Sequence, residues 1–527
     1  MADPTVSLYR PLLLADGVHA SAARTPDKTA LRCGDAELTY GELARRVRRV
    51  TSRALAALSL EPRDRVAILA PNCLEYPEIM LGLSDAGAIV ATLNPRANAR
   101  ELQDACDNCG ARVLFAHASL SAVVDAAQFA TVEHIVLIGA EGERGYDAWR
   151  EQPQPWQQKS GAVATGIPAI AETQPFTLVY SSGTTGKPKG ILISHRSRVL
   201  TFHAMAMEYG CYGPDDRFLS LAPMAHGAGL AFTMATLYFG GYVELVGKFE
   251  PAAVVEKLAR EPFTGIFMVP THFQAIFALP VDFLTRHRRS ATTLRAIISN
   301  AAALPEALKE KIVDFWGEGL LHETYGSTEA GIVTNIRPAD QLRKIQSVGR
   351  PFAATLVRLL DDDGNDVPVG EIGELYSRSS FLFDGYWNNP QDTAACVRDG
   401  WVTAGDLARC DADGYYYIVD RKKDMVISGG INIFPREIEE VLHRHPAVQE
   451  AAVIGVPDEH WGERLRAFVV LAPGHSSGAV AISEAHLIEY CKQSLSGYKV
   501  PRELRLIAAL PRNVGGKVLK KELRALV

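Results

Sequence analysis

Tyr180–Gly190 reads YSSGTTGKPKG, and Ile191–His195 (ILISH) follows it directly. Ahead of it, Phe176-Thr177-Leu178-Val179 is short, apolar and β-branched, the pattern of a buried strand. The chain then turns abruptly into hydroxyls and glycines. Ser181, Ser182, Thr184 and Thr185 alternate with Gly183 and Gly186, and Lys187 and Lys189 follow. Glycine admits positive φ, so successive backbone N–H groups can face one concavity. The hydroxyls and ammonium groups add donors and positive charge, and such a loop suits a polyphosphate. It is not a Walker loop, which needs four residues between its glycines and then Lys-Ser/Thr. A flexible linker would not lie between two apolar strands and carry paired lysines.

The totals bound what surrounds this loop. A chain of 527 residues is too long for one core and predicts two or three domains. With 47% hydrophobic and 22% charged residues the composition is that of a globular protein. A net charge of −6 offers no general attraction to nucleic acid. The basic runs Arg45-Arg46-Arg48-Arg49 and Arg286-Arg288-Arg289 read as solvated faces. No stretch reaches the roughly 18 apolar residues of a membrane span, and no leader or C-terminal address is evident, so a cytoplasmic location is expected. Eight cysteines in this length are no disulfide framework. Cys106-x-x-Cys109 falls at the end of a predicted helix closed by Gly110, the wrong end for a dipole-activated thiolate, and predicts packing cysteines.

Outward from the loop, strand and helix patterns alternate from Arg24 to Ile170, which predicts a mostly parallel sheet covered by helices. TALRCGDAELTY reads as a hairpin turning at Gly34-Asp35. Beyond the loop, strands DRFLSLAP, GIFMVP, LRAIIS and LLHETYG each end in a break: at Pro223 to Gly229 with His226 inside it, before Thr271, at Asn300-Ala301-Ala302-Ala303, and at Ser327-Thr328-Glu329. Ligands of open α/β sheets collect at such C-terminal strand ends. From Ser347 short strands with tight turns predict an antiparallel subdomain, with Asp361-Asp362-Asp363-Gly364 as a hairpin turn. After Arg421 a smaller α+β unit begins, joined by a short hinge.

With these breaks in place, the chain resembles the adenylate-forming superfamily of acyl-CoA synthetases, luciferases and peptide-synthetase adenylation domains. The resemblance runs over nearly the whole length. It rests on YSSGTTGKPKG, YGSTE (Tyr325 to Glu329), GWVTAGD (Gly400 to Asp406), DRKKDMVISGG (Asp420 to Gly430) and PRNVGGK (Pro511 to Lys517), in the family's order. It implies a large N-terminal domain of parallel-rich αβ sheets with a small β-barrel-like subdomain (1–420), a hinge (421–423) and a small mobile α+β domain (424–527). It also implies roles for individual residues. Ser181, Ser182, Gly183, Thr184, Thr185, Gly186 and Lys189 would hold the β- and γ-phosphates of ATP. Tyr325 would stack on adenine, with Asn300, Ala301 and Ala302 along the purine edge. Asp406 would accept from the ribose hydroxyls and Arg421 would contact the same sugar. Thr328 would donate to the α-phosphate and Glu329 would hold Mg²⁺, a hard ion suited to carboxylate oxygen. Lys517 would bridge the two anions that meet when a carboxylate attacks that phosphate. Lys423 would be the pivot, Gly429 and Gly430 would line the path of coenzyme A, and His226 would gate the acyl pocket. The sequence departs from the pattern at Ala404, where Thr is usual, and at Asn300-Ala301-Ala302, which replaces a Gly-Gly-Ala type run.

The implied activity is that of an AMP-forming acid–thiol ligase using ATP, Mg²⁺ and coenzyme A. The acyl pocket would be lined by residues after His226, Val269 to Phe273, Ser299 to Ala301, Gly326 and Ala330 to Val333, with Phe232, His272 and Phe273 suited to a ring. No Arg or Lys lies among these, so an apolar monocarboxylic acid is expected, a fatty acid or an aryl acid. A homodimer is compatible with these readings. The rivals are a ligase loading a separate carrier protein, a luciferase-like oxygenase, and a non-catalytic nucleotide-binding protein.

Overall fold

The computed structural model describes residues 10–152, 169–181, 189–472, 474–475, 482–512 and 518–526. Its first sheet has six strands, in the order His134–Ile138, Val113–His117, Arg65–Leu69, Ile89–Leu93, Pro175–Ser181, Lys189–Ser194. All neighbours are parallel except the last pair, the two strands that flank the hydroxyl-rich loop. The second sheet has nine strands. Its middle, Leu321–Ser327, Ala296–Ser299, Gly265–Met268, Arg217–Ser220, Tyr242–Leu245 and Thr29–Cys33, is parallel throughout. Antiparallel strands close both edges, among them the predicted hairpin Thr29–Cys33 with Ala36–Thr39.

Burial on both faces explains the near-continuous apolar runs of these strands. In Arg65–Leu69, Val66 and Ile68 belong to one core and Ala67 and Leu69 to another. The first of these cores also holds Phe218, Val243 and Ile298 of the nine-stranded sheet, with Phe202, Met205 and Leu230 from the helices His195–Tyr209 and Gly227–Phe239. Both sheets therefore share one apolar layer. Local signals start and stop the helices. Thr39 and Glu42 form a capping box on Tyr40–Ala56, as Asn98 and Glu101 do on Ala99–Cys109, which ends at Gly110 in the left-handed conformation, φ 65°. Cys106 and Cys109 are fully buried there, and burial pushes the Cys109 thiol up to about 11, as packing residues require.

The strands Leu356–Leu360, Gly373–Arg378, Trp401–Cys410, Val397–Arg398 and Tyr416–Arg421 form a separate, wholly antiparallel curled sheet, the half-barrel. The last unit is α+β. Strands Val426–Ser428, Ile431–Ile433, Val448–Asp458, Gly462–Leu471 and Glu503–Leu506 pack on helices Pro435–His443 and Glu484–Ser494 around a core of their own. Among the described residues no helix is long and apolar enough to cross a membrane.

One buried cation positions the strand ends. Lys309, 1% exposed, lies 2.8 Å from Glu323 Oε2 and 3.2 Å from Glu306 Oε1. The other Glu323 oxygen accepts from the backbone N–H of Leu304 at 3.0 Å. The loop after Ala296–Ser299 is thereby fixed to the strand Leu321–Ser327. Charges this deep need partners on every side, because an unpaired one costs several kcal/mol.

Three histidines are held neutral by burial. His195, His272 and His322 each titrate at about 4 rather than 6.5. At His195 the neutral form is required, since Nδ1 accepts from the N–H of Leu14 at 3.1 Å. These folded-state values are depressed, so between pH about 6.5 and 4 the unfolded chain binds protons that the folded chain refuses. Stability is full above that window and falls as pH drops through it. Denaturant midpoints measured from pH 7 to 4.5 should decline, and His195→Gln, whose side-chain oxygen can still accept, should decline less steeply. Parallel profiles for the two proteins contradict this.

Candidate active site

The C-terminal strand ends of the two sheets meet. A Cβ placed on Gly227 would lie 3.5 Å from Thr328 and 4.0 Å from Val179. Thus the helix start beside His226, the turn after Leu321–Ser327 and the strand leading into the hydroxyl-rich loop share one crevice. His226 is the N-cap residue of Gly227–Phe239, and its Nε2 is enclosed without a partner among the described residues. Burial, and then the Arg96 guanidinium, lower its pKa, so it is neutral at pH 7. The loop that carries it is held by Asn72. That side chain donates to the carbonyls of Ala222 at 3.1 Å and Val246 at 3.4 Å and accepts from Met224 N–H at 2.9 Å.

Along Leu321–Ser327 successive residues reach different partners. The Tyr325 hydroxyl donates to Asp406 Oδ2 at 2.5 Å, and Arg421 Nε lies 3.2 Å from Asp406 Oδ1. Asp406 and Arg421 are opposite each other across two strands of the half-barrel. Burial and the Asp406 carboxylate hold the Tyr325 phenol far above its ordinary pKa, so it stays a donor. Thr324 accepts from Asn300 Nδ2 at 2.8 Å and donates to the carbonyl of Ser299 at 3.3 Å. Ala301 adopts φ 76°, a left-handed conformation that suits glycine and costs an alanine about 1–2 kcal/mol. Ala301 and Ala302 are exposed beside it. Tyr325, Asp406, Arg421 and Asn300 are therefore brought to one side of the crevice.

Glu329 lies just beyond Thr328. Its Oε1 accepts from the Tyr386 hydroxyl at 2.8 Å, while Oε2 has no partner among the described residues. Among those residues no cluster of three or more His, Cys, Asp or Glu could hold a metal unaided. A single carboxylate with a free oxygen fits a magnesium ion that arrives with phosphates and keeps water in its other positions. Lys189 does not face open space. Its ammonium lies 2.6 Å from Asp392 Oδ2 and 5.1 Å from the centre of the Tyr386 ring.

Next to the small unit, Lys423 is exposed, and partial desolvation lowers its pKa, with Arg421 adding to the effect. Asp424 lies 3.2 Å from Arg524, and Asp420 accepts from Arg436 N–H at 3.0 Å, so the segment 420–424 is tied to the small unit on both sides. Gly429 and Gly430 turn the hairpin Val426–Ser428/Ile431–Ile433 with φ 57° and 79°. A Cβ on Gly429 would stand 2.7 Å from the Trp461 ring, whereas one on Gly430 would meet nothing within 4 Å. Ser182, Gly183, Thr184, Thr185, Gly186 and Lys517 lie outside the described residues, and of Ser181 only the backbone, the last residue of its strand, is described.

Two expectations about the acyl pocket change. Phe273 is fully buried in the core on the far side of the nine-stranded sheet, edge-on to Trp316 at 6.0 Å, and Phe232 is stacked on Phe267 at 4.3 Å. Both rings are engaged in packing. Asn72 and Tyr386 were invisible to sequence reasoning, since each acts on residues far away in the chain; the only signal was a polar side chain at a strand end or in a short aromatic turn.

Comparison with known proteins agrees with this geometry. The family model of AMP-binding enzymes matches residues 18–387, and the model of the AMP-binding enzyme C-terminal domain matches residues 437–517. A feruloyl-CoA synthase of Amycolatopsis sp is 38% identical over 512 residues, covering 95% of this chain and 96% of that one. The crystal structure of the anthranilate CoA ligase AuaEII with anthranoyl-AMP superposes with a TM-score of 0.87 at 29% identity over 98% of both chains. The amide bond synthetase McbA of Marinactinospora thermotolerans superposes with a TM-score of 0.85 at 26% identity, over 98% of this chain and 99% of its own.

The crevice depends on a close backbone approach at Gly326. A register shift follows Tyr325, and a Cβ on Gly326 would stand 2.0 Å from the Gly331 carbonyl oxygen. Gly326→Ala must push Tyr325 and Thr328 apart from that strand. We expect it to destabilise the protein by about 3 kcal/mol in denaturant unfolding, the upper end of overpacking costs. A loss within about 0.5 kcal/mol, the range of ordinary surface changes, contradicts it.

Proposed function

The chain belongs to the AMP-binding enzyme family, whose members are adenylate-forming ligases, and from that premise we propose that it activates an apolar monocarboxylic acid, aryl or fatty, and passes the acyl group to the thiol of coenzyme A. The observation that carries the reading is the convergence of Tyr325, Asp406, Arg421, Thr328 and Glu329 beside the strand that enters the hydroxyl-rich loop.

In this reading Asp406 and Arg421 receive the ribose, Asn300 to Ala302 and the Tyr325 ring receive the purine, and Ser181 to Gly186 with Lys189 receive the outer phosphates. Glu329 would hold a magnesium ion, and that ion would supply charge neutralisation for the phosphates. The acid's carboxylate oxygen forms a bond to the α-phosphorus while the bond from that phosphorus to the departing pyrophosphate breaks. Thr328 donates to an oxygen on that phosphate, and Lys517 would supply a cation to the two anions, which acts more on the transition state than on the ground state. Next the thiol loses its proton and attacks the acyl carbon, and AMP leaves with the bonding pair. Residues 1–420 and 424–527 act as two bodies about a hinge at 421–423, with Lys423 as pivot. Gly429 and Gly430 then flank the thiol's path, and neutral His226 guards the acyl side.

The similar proteins include a feruloyl-CoA synthase and long-chain-fatty-acid--CoA ligases alike, so aryl and fatty acids both stand within this reading. A second reading of the substrate rests on Arg198. This side chain is on the inward face of His195–Tyr209, is 7% exposed, and makes no ion pair or hydrogen bond among the described residues. Its Nε is fully enclosed, and burial alone lowers its pKa to about 10. Where the acyl pocket reaches this helix, a ligand oxygen would stabilise such a cation, and the acid would carry a carbonyl or second carboxylate far from the reacting one.

The test is a panel of aryl, fatty and keto- or dicarboxylic acids with ATP, Mg²⁺ and coenzyme A, scored for thioester. Thioester from at least one class is expected, and none from any class overturns the reading. If an oxygenated acid is preferred, Arg198→Met should lower its kcat/KM about tenfold or more, the cost of one charged hydrogen bond, and spare plain apolar acids. Equal losses for both would remove Arg198 from recognition.

A further inference from the structure

Residues 383–392 cross the outer edge of the six-stranded sheet. That edge is Lys189–Ser194, the strand by which the hydroxyl-rich loop leaves the crevice. An unpaired edge strand exposes a row of backbone donors and acceptors, and here the crossing segment pairs with it. Asp384 N–H donates to the Leu192 carbonyl at 2.9 Å, Leu192 N–H to Gly385 at 3.0 Å, and Trp387 N–H to Gly190 at 2.8 Å. The Asp384 side chain adds a bond from Ser194 N–H at 2.5 Å. Trp387 Nε1 donates to the Asn108 carbonyl at 3.0 Å, fixing the segment to the helix Ala99–Cys109 as well.

The same segment reaches the other side of the crevice. Phe383 N–H donates to the Glu329 carbonyl at 2.9 Å, and the Tyr386 hydroxyl donates to the Glu329 carboxylate at 2.8 Å. Tyr386 is itself fixed. Its N–H donates to Thr393 Oγ1 at 2.9 Å, its ring packs edge-on against Phe383 at 5.2 Å, and the Lys189 ammonium stands over its face. One rigid strap therefore touches both the outgoing stem of the phosphate-type loop and the only acidic side chain of the YGSTE turn.

We propose that Tyr386 is a positioning residue: it fixes one oxygen of Glu329 relative to the strand Lys189–Ser194, so that the other oxygen is aimed at a divalent cation carried by the nucleotide. The inference rests on the ATP reading above and adds to it a residue outside every motif that suggested that reading. A phenol is protonated over the working range, so the Tyr386 hydroxyl is the donor of this bond. Partners that orient a metal ligand typically change metal affinity by about 10–100-fold when removed. Without this bond the carboxylate can rotate, and the cation loses a ligand already in place.

The test is binding of α,β-methylene-ATP, which cannot lose pyrophosphate, to the full chain over a series of MgCl₂ concentrations by titration calorimetry. Tyr386→Phe keeps the ring and its packing and removes only the donor. The Mg²⁺ concentration that gives half-maximal nucleotide affinity should rise about tenfold, while affinity without metal changes less than about twofold. In a Glu329→Gln background the same substitution should add nothing, because the two residues act as one unit. A merely structural tyrosine would lower affinity equally with and without metal, or add its effect to that of Glu329→Gln, and either result overturns the proposal. An unchanged Mg²⁺ dependence overturns it too while leaving the ATP reading standing. Absence of nucleotide binding by the unsubstituted chain overturns the ATP reading and this inference with it.

Discussion

The hydrogen bond from the Tyr325 hydroxyl to Asp406 is the joint on which the arrangement depends. Tyr325 belongs to the nine-stranded sheet and Asp406 to the half-barrel, and Arg421, which completes the pair, opens the segment leading to the C-terminal unit. Asp406 is 5% exposed. A carboxylate so buried is stable only with partners on both oxygens, and removing either partner leaves an uncompensated charge. The nine-stranded sheet and the half-barrel are thus held to one geometry at the point where a sugar would enter in the proposed reading. In the proposed reading ribose hydroxyls would donate to the same carboxylate, which is already held in place before they arrive.

The rest of the crevice is braced from behind. Lys309 and Glu323 secure the strand-end loop, Asn300 and Thr324 secure its tip, Asn72 holds the loop bearing His226, and the strap at 383–392 clamps the loop's outgoing strand. These bonds fix the rotamers of groups that would face substrates in the proposed reading, which is what transition-state stabilisation requires of a site. The exceptions are informative. Ala301 keeps a strained backbone where glycine is usual, and Arg198 keeps a buried charge with no protein partner among the described residues. Both are costs that no contact among the described residues offsets.

Much of this was legible in the chain. Strands such as Arg65–Leu69 are apolar on both faces and break sharply, so the alternating order and the strand-end sites follow from periodicity and turn chemistry. The hairpin at Gly34-Asp35 and the helix stop at Gly110 were readable for the same local reason. The residue roles came from motif order, since nothing local distinguishes Asp406 from a turn residue. What was hidden is long-range. Tyr386 acts on Glu329 from 57 positions away, and Asn72 on Ala222 from 150. Phe273 looked like a pocket residue because an aromatic ring after a strand end reads alike whether it faces a ligand or Trp316.

The central claim is that a carboxylate displaces pyrophosphate from ATP in this crevice with the help of a cation from the small domain. Exchange of labelled pyrophosphate into ATP measures that step alone. The account predicts exchange that requires an added carboxylic acid and falls about a hundredfold or more in Lys517→Ala, the loss expected for one stabilising charge. Exchange with no acid in a wide panel, or an undiminished rate in the variant, contradicts it.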